Sequence, residues 1–335
     1  MADRTVRVGP MCHVESLLYF LECEPREIIA AAGLSPEDLL DVNHHLPYIA
    51  ATCLLDQCAK DSGCDHFGLL LGQRFLVVQL GIAGQLACTA PDVATALHDI
   101  VHNFHLHDQG GITTLDTSSR YTSFGYTIID PGVVSVEQVH DLSITAICGT
   151  MRSLCGANWN PVKVELSRAK PKDTRPYEDY FRAPVLFGAP KNAVTFSNRW
   201  LDHVIGTADT DDHMRLLKGA RTLFIAEPRS FSWEVRIALH HRLAIGDINA
   251  TSVANTLGLH ERTLHRRLQI ENTSFRKLLE QVRQTTACHY LAGTTIPIKE
   301  IATALGYHST DAFDHAFKRW FGSSPLQWRK SELSP

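Results

Sequence analysis

Two stretches near the C-terminus share one pattern: residues 253–268 read VANTLGLHERTLHRRL, and residues 301–317 read IATALGYHSTDAFDHAF. In each stretch a short apolar segment ends at a glycine, Gly258 or Gly306, and a polar segment follows it. Glycine permits the positive φ of a tight turn after a helix. The pattern therefore predicts two helix-turn-helix units, in each of which the second helix can enter the major groove of DNA.

The sequence between the two stretches predicts a connecting helix. Apolar residues follow helical spacing from Phe275 to Leu291. A helix of that length spans roughly 25 Å at 1.5 Å per residue. Such a rod can hold two recognition helices about one DNA turn, roughly 34 Å, apart on one face of the duplex. The alternative is a helical bundle without a nucleic-acid role.

The last third of the chain, residues 230–332, resembles the DNA-binding domain of AraC/XylS-type transcriptional regulators. The preceding two thirds resemble the sensor domain of the ornithine- and arginine-responsive branch of that family. The first resemblance is carried by Arg262-Thr263-Leu264, Arg266-Arg267-Leu268, Thr273-Ser274-Phe275, Arg283, Ala287, Ile301-Ala302, Leu305-Gly306-Tyr307, Phe313, Ala316-Phe317-Lys318-Arg319-Trp320, Gly322, Ser324-Pro325 and Arg329. The second is carried by residues 67–72, 180–185 and 187–190 and by Trp200-Leu201.

The resemblance implies which residues of the first recognition helix contact DNA. Arg262, His265 and Arg266 occupy the base-reading positions of the family. Arg can bind guanine O6 and N7 in bidentate fashion, which is worth about 1–3 kcal/mol of discrimination between bases. In the alternative interpretation Arg267 contacts a phosphate and Arg266 reads no base.

The second recognition helix departs from the family, because His315 stands where relatives commonly have Arg, and Asp311 and Asp314 add negative charge. Carboxylates near phosphates are unfavourable unless each finds a donor, such as cytosine N4 for Asp311 or Lys318 at i+4 for Asp314. We therefore expect the first helix-turn-helix unit to contribute more to DNA sequence specificity than the second. The residues of this helix expected to contact DNA are Thr310, Asp311, His315 and Lys318.

Charge is divided unevenly along the 335 residues. From residue 240 onward twelve Lys/Arg face eight Asp/Glu, a net charge of +4, whereas the first 239 residues carry −8. An acidic N-terminal part joined to a mildly basic C-terminal part is consistent with a DNA-binding protein in which only the C-terminal part is attracted to DNA. We predict an effector-binding and dimerisation domain over residues 1–226 and a DNA-binding domain over residues 227–335. Pro228 bars a helix from continuing through this boundary, at Glu227-Pro228-Arg229-Ser230.

The predicted fold is an α+β sensor domain followed by an all-α domain, in which a linker helix joins the two helix-turn-helix units. Ser35-Pro36-Glu37-Asp38 has the composition of a helix start. Helical patterns cover residues 13–32, with a break allowed at Pro25, and residues 49–60, 66–71, 92–104, 135–154 and 201–225. Strand patterns cover residues 111–115, 120–129 and 162–166.

The body carries no GxSxG, HExxH, P-loop or dinucleotide-binding motif, so we expect no enzyme, no cofactor and no metal. Two clusters keep open an alternative, a metal- or redox-sensing (or enzymatic) body fused to the DNA-binding tail. The first cluster is His98, His102 and His105, followed by His107 and Asp108, and its first two members are i,i+4 neighbours. The second is Cys53, Cys58 and Cys64, which equally suit small buried hydrophobes.

The cytoplasm is the expected compartment. No stretch reaches the ~18 apolar residues that span a bilayer, the first residues lack the apolar segment of a signal peptide, and nine irregularly spaced cysteines do not suggest a disulfide framework. We expect a homodimer that binds double-stranded promoter DNA and a small metabolite, amino-acid-like by family default. An activator would also contact RNA polymerase.

Overall fold

Two separate hydrophobic cores divide the chain into two compact units, Met1–Leu223 and Phe224–Pro335. The computed structural model describes residues 4–117, 119–133, 135–226 and 230–332. The predicted boundary segment at residues 227–229 lies outside the described residues, and the boundary itself stays a prediction.

The strands of the first unit form two sheets. The strands are β1 (Thr5–Arg7), β2 (His45–Pro47), β3 (Gly111–Asp116), β4 (Tyr121–Ile128), β5 (Lys163–Leu166), β6 (Val185–Phe187) and β7 (Ala193–Ser197). Strands β1 and β2 pair antiparallel. The larger sheet has the order β3-β4-β7-β5-β6, and its neighbours are antiparallel except for the parallel pair β5 and β6.

Helices cover this sheet and complete the first unit. They are α1 (Val14–Phe20), α2 (Pro25–Ala31), α3 (Tyr48–Ser62), α4 (Phe67–Gly72), α5 (Ile82–Thr89), α6 (Val93–Asn103), α7 (Glu137–Cys155), α8 (Arg175–Phe181) and α9 (Thr210–Ala226). Helix α7 packs against α3, α4 and strand β4. Helix α6 begins where the Asp92 carboxylate accepts from the Thr95 amide at 2.8 Å, a side-chain N-cap.

The α+β prediction for this part is confirmed, whereas some element bounds were wrong. The break that the sequence allowed at Pro25 is present, since α1 ends at Phe20 and α2 begins with Pro25. The helix start at Ser35 forms only a 3₁₀ turn, Pro36–Leu39, although its capping box is present. Residues 201–209 are not helical, because α9 begins only at Thr210.

The second unit is all helical over its described residues. Its helices are α10 (Phe231–Ile245), α11 (Ala250–Thr256), α12 (Glu261–Ile270), α13 (Phe275–Gly293), α14 (Ile298–Ala304), α15 (Thr310–Phe321) and α16 (Pro325–Glu332). The side chains of Ser230, Asn249, Ser274 and Ser309 accept hydrogen bonds at the starts of α10, α11, α13 and α15. These caps satisfy amides that have no partner inside the helix.

The two predicted turns are built alike, which confirms the repeated helix-turn-helix. Gly258 has φ +64° and Gly306 has φ +71°. After the first glycine the Leu259 amide donates to the Ala254 carbonyl at 2.9 Å, and after the second the Tyr307 amide donates to the Ala302 carbonyl at 2.9 Å. This six-to-one bond with a left-handed glycine ends α11 and α14 in the same way and sets the angle at which α12 and α15 leave.

The core of the second unit draws apolar residues from both helix-turn-helix stretches. The buried residues of these stretches include Ala254, Leu264, Leu268, Ile301, Leu305, Phe313 and Phe317. Leu257 and Trp320 are only half-buried. Leu257 follows the last turn of α11, and the Trp320 indole N–H reaches Glu280 at the edge of the core, at 2.6 Å.

Candidate nucleic-acid interface and ligand cavity

Helix α12 presents three predicted contact residues to solvent. Arg262, His265 and Arg266 are exposed, while Leu264 and Leu268 on the opposite side are buried in the core. The helical period produces this division, because positions 262 and 266 are i,i+4 neighbours. The result is an exposed face with two guanidinium groups on a helix whose back is fixed by packing.

His265 has a protein partner on its own helix. Its Nε2 lies 3.5 Å from Glu261 Oε1. Glu261 in turn accepts a hydrogen bond of 2.6 Å from the Thr251 hydroxyl of α11. These contacts orient the imidazole at the exposed face of α12.

Arg267 lies at the contact between α12 and α10, apart from the residues predicted to read bases. Its guanidinium carbon lies 4.0 Å from the centre of the Phe231 ring. Close by, Glu271 accepts hydrogen bonds from the amides of Phe231 and Ser232, at 2.6 Å and 2.8 Å. A cation stacked on an aromatic face packs the helix as well as carrying charge, which gives Arg267 a structural role.

Helix α15 also presents predicted contact residues. Asp311, His315 and Lys318 are exposed, and Thr310 is half-buried at the first turn of the helix. The expected ion pair of Asp314 with Lys318 does not form among the residues that the structure describes. The exposed face of α15 therefore carries a carboxylate, an imidazole and an ammonium, in contrast to the two guanidiniums of α12.

The linker helix α13 fixes α15 through side chains that the sequence pattern did not single out. Glu280 accepts hydrogen bonds from Arg319 at 2.8 Å and from the Trp320 indole at 2.6 Å. Arg283, noted only through the family resemblance, donates to the carbonyls of Leu305 and Gly306, at 2.9 Å and 3.1 Å. These bonds satisfy the carbonyls at the C-terminal end of α14 and hold the second turn against α13.

A cavity of about 760 Å³, which includes space open to solvent, lies within the first unit. Fourteen of the twenty-three residues that line it are apolar. Helix α7 contributes one face with helical spacing: Val139, Leu142, Ser143, Ala146, Ile147 and Thr150. Mostly apolar walls with a small number of polar groups are typical of small-molecule sites.

Helix α3 and the sheet supply the rest of the main walls. Helix α3 contributes Tyr48, Ala51, Thr52 and Leu55, again one helical face. Strands β3 and β4 contribute Thr113, Phe124 and Tyr126. Thr113 and Tyr126 are directly paired across the two strands, so their side chains share one face of the sheet.

The polar residues of the cavity include a hydrogen-bonded chain that ends on a buried carboxylate. Tyr126 donates to Asp108 Oδ2 at 2.6 Å, and the hydroxyls of Tyr48 and Tyr126 lie 2.8 Å apart. Asp108 Oδ1 accepts from the amides of Gly110 and Gly111, at 2.8 Å and 2.9 Å. Burial raises the pKa of Asp108 to about 6, against the opposing effect of these hydrogen bonds.

Two further polar atoms on cavity-lining residues have no partner within the part of the chain that the structure describes. They are Thr113 Oγ1 and His107 Nδ1. Burial, reinforced by the nearby Arg7 guanidinium, lowers the pKa of His107 to about 3, so its ring is neutral at physiological pH. Buried polar groups normally find a hydrogen-bond partner, so these atoms mark places where a ligand can bind. No local sequence pattern predicted this cavity.

Helix α6 contacts both the cavity and α9, the helix in which the first unit ends. Ile100 and the adjoining Phe104 line the cavity. On α6, Asp99 Oδ2 lies 3.2 Å from His213 Nε2 of α9. The other ring nitrogen of His213 lies 3.2 Å from the Thr89 hydroxyl at the end of α5. Helix α6 therefore contacts the cavity and α9 with adjacent residues.

The histidine and cysteine clusters that kept a metal- or redox-sensing alternative open do not have the arrangement of a metal or redox site in the described residues. Among the described residues no group of three His, Cys, Asp or Glu side chains could hold a metal ion. The rings of His98 and His102 stack on the helix surface with centroids 6.1 Å apart. Cys53 is exposed while Cys58 and Cys64 are buried, and burial raises the pKa of Cys58 to about 12, which keeps it a protonated thiol.

No described helix is both long enough and apolar enough to cross a membrane.

Comparison with known proteins agrees with the two-unit architecture. The family described as "Arabinose-binding domain of AraC transcription regulator, N-term" matches residues 23–205, more than half of the chain, and a "Helix-turn-helix domain" matches residues 253–331. The first match covers the cavity from Tyr48 through Thr150, and the second covers both glycine turns.

Curated relatives align with this chain over most of both chains. The "HTH-type transcriptional regulator VirS" of Mycobacterium tuberculosis is 27% identical over 281 residues, 82% of each chain. The "Ornithine utilization regulator" of Pseudomonas aeruginosa is 22% identical over 362 residues, 98% of each chain. The crystal structure of the transcriptional regulator CdpR from P. aeruginosa covers 91% of this chain and 96% of its own, with 25% identity and a TM-score of 0.44. The chain is therefore a member of the AraC family of transcriptional regulators, with an N-terminal effector domain and a C-terminal helix-turn-helix DNA-binding domain.

Proposed function

We propose that α12 and α15 are the two recognition helices and that they contact DNA through Arg262, His265, Arg266, Thr310, Asp311, His315 and Lys318. The observation that carries the proposal is the exposed face of α12, where Arg262 and Arg266 stand on a helix anchored by buried leucines. Each guanidinium can donate two hydrogen bonds to guanine O6 and N7, and the i,i+4 spacing places both guanidiniums on the same exposed face. The mixed charge of α15 supports a smaller contribution to DNA binding from the second helix-turn-helix unit.

Replacing Arg266 by Ala tests this assignment. DNA that the full chain selects from a random library supplies the operator, and Kd is measured by fluorescence anisotropy at one salt concentration. We expect the affinity of Arg266→Ala for that operator to fall roughly 5- to 150-fold, which corresponds to the loss of one bidentate contact of about 1–3 kcal/mol. A repeated selection should show relaxed preference at one or two base positions.

Matched variants separate base reading from general charge. Arg175→Ala makes the same change at an exposed site in the first unit and should leave the affinity within about twofold. His315→Ala should lose less affinity than Arg266→Ala does. An equal loss of Arg266→Ala on operator and on random DNA would identify Arg266 as a phosphate contact and overturn its assignment.

The proposal extends to the control of DNA binding. A small molecule binds in the cavity of the first unit and acts through a homodimer, and the protein functions in the cytoplasm without catalysing a reaction. The support comes from the cavity lined by α3, α7 and the sheet, from the family of regulators to which the chain belongs, and from the expected contribution of a second DNA-binding unit to avidity. If the protein activates transcription, it also contacts RNA polymerase.

A further inference from the structure

The hydrogen-bonded chain in the cavity has a fixed direction. A tyrosine hydroxyl has one proton to donate. Tyr126 gives its proton to the Asp108 carboxylate, so it must accept from Tyr48 across the 2.8 Å that separates the two hydroxyl oxygens. The proton of Tyr48 is then committed as well. What Tyr48 offers the cavity is an oxygen lone pair, and a ligand that bonds to it must supply an O–H or N–H.

Thr113 adds a complementary group on the same wall. Its hydroxyl has no partner among the described residues, it is 3% exposed, and it stands opposite Tyr126 in the register of β3 and β4. A threonine hydroxyl can donate and accept. A ligand that donates to Tyr48 and accepts from Thr113 therefore satisfies both, and a hydroxyl group has the proton and the lone pairs that these two bonds require.

The charges of the cavity favour a neutral ligand. Arg7 and Asp108 both line it and have opposite signs, so a charged ligand is attracted by one and repelled by the other. Each already has neutral partners, since the Arg7 guanidinium donates to Asn43 and Asp108 accepts from Tyr126 and two amides. A charge brought into these walls would lose its hydration without a dedicated counter-ion.

Most of the remaining wall is apolar and disfavours a ligand that is polar throughout. The fourteen apolar residues offer no partner to a polyol or to a zwitterion, and each buried hydroxyl or charge without a partner lowers affinity. We infer that the effector is an uncharged, largely apolar small molecule that carries a hydroxyl group, and that this group is bound by Tyr48 and Thr113. The inference rests on the proposed function, because it assigns the ligand class of the effector cavity.

Probes with one apolar body and different head groups test the ligand class. The full chain is titrated calorimetrically at pH 8, where Asp108 is ionised, with 1-octanol, 2-octanone, octanoate and octylammonium, and with L-arabinose and L-ornithine. We expect 1-octanol to bind most tightly, by about threefold to tenfold over 2-octanone, which matches one net hydrogen bond of about 0.5–1.5 kcal/mol. Tighter binding of 2-octanone, octanoate, octylammonium, arabinose or ornithine overturns the inference.

Side-chain variants locate the binding site. In Tyr48→Phe the preference for 1-octanol over 2-octanone should fall to within about twofold, because the acceptor oxygen is lost. Tyr180→Phe is the matched control, since Tyr180 bonds to the Thr145 carbonyl and does not line the cavity. Ala146→Leu should weaken every octyl probe by filling the cavity. A preference that survives in Tyr48→Phe contradicts the assigned head-group contact.

DNA binding of the same samples keeps the two proposals apart. Wild-type protein that selects no operator while preferring 1-octanol overturns the proposed function and leaves the ligand class standing. Protein that binds its operator but prefers another probe overturns the ligand class alone. Operator binding by the variants also reports that their second unit is folded, and a thermal melt reports the same for the first.

Discussion

Phe317→Ala should cost roughly 3–5 kcal/mol of stability and abolish DNA binding by the second helix-turn-helix unit. Phe317 is fully buried, and its ring lies between 4.7 and 6.3 Å from those of Phe313, Trp320, Phe321 and Trp328. Removing it leaves a cavity at the centre of this aromatic cluster, between α15 and α16. Urea denaturation of the full chain, followed by near-ultraviolet circular dichroism and operator affinity, measures both effects.

The neighbouring Phe321 provides a matched control. It contacts the same cluster but is 39% exposed, so Phe321→Ala removes fewer buried atoms and should cost clearly less. An unchanged denaturation curve together with full operator binding for Phe317→Ala would show that α15 is not held in the way the structure indicates. A loss in Phe321→Ala equal to that in Phe317→Ala would place the centre of the cluster elsewhere.

A chain that begins at Glu227 should still bind operator, but about 10²- to 10⁴-fold more weakly than the full chain and without any response to a ligand. The second unit has its own hydrophobic core and keeps Ser230, which caps α10. We expect this loss because the proposed dimerisation through the first unit would tether a second DNA-binding unit and so raise its effective concentration. Titration of both chains on the same operator measures the difference.

Fusing a parallel coiled coil to the shortened chain distinguishes lost tethering from lost contacts. The fusion should recover most of the affinity while remaining unresponsive to 1-octanol, because it restores the dimer without the cavity. If the shortened chain binds as tightly as the full chain, the first unit does not contribute through dimerisation. If the fusion stays weak, the first unit supports DNA binding by some other route.

Elements with local, repeated patterns were predictable from the sequence. The two glycine turns and the helices that flank them were found because helical spacing and the left-handed conformation of Gly258 and Gly306 are encoded within a few residues. Strands β1, β2 and β6 escaped notice because three residues are too short to show alternation. Helix α5 and strand β7 were also missed.

The two candidate sites differ in the same way. The proposed DNA contacts of each recognition helix, α12 or α15, lie on that one helix. Helical spacing and family resemblance were therefore enough to name them as residues to test. The cavity draws Tyr48, Asp108, Thr113 and Tyr126 from three separated segments, and only tertiary folding brings them together. The histidines near residue 100 were noticed for metal binding, whereas His107 instead lines this cavity and is uncharged. Residue type alone did not separate these roles.

The position of α6 has a thermodynamic consequence. Its residues Ile100 and Asp99 contact the cavity and α9 respectively, so a ligand that displaced α6 would act on the contact with α9, the helix in which the first unit ends. Linkage then works in both directions: whatever factor the ligand imposes on operator affinity, the operator imposes on ligand affinity. A regulator already seated on its promoter would thus respond at a different ligand concentration from one that is free in solution. The dose at which a gene responds would depend on how many operators compete for the protein.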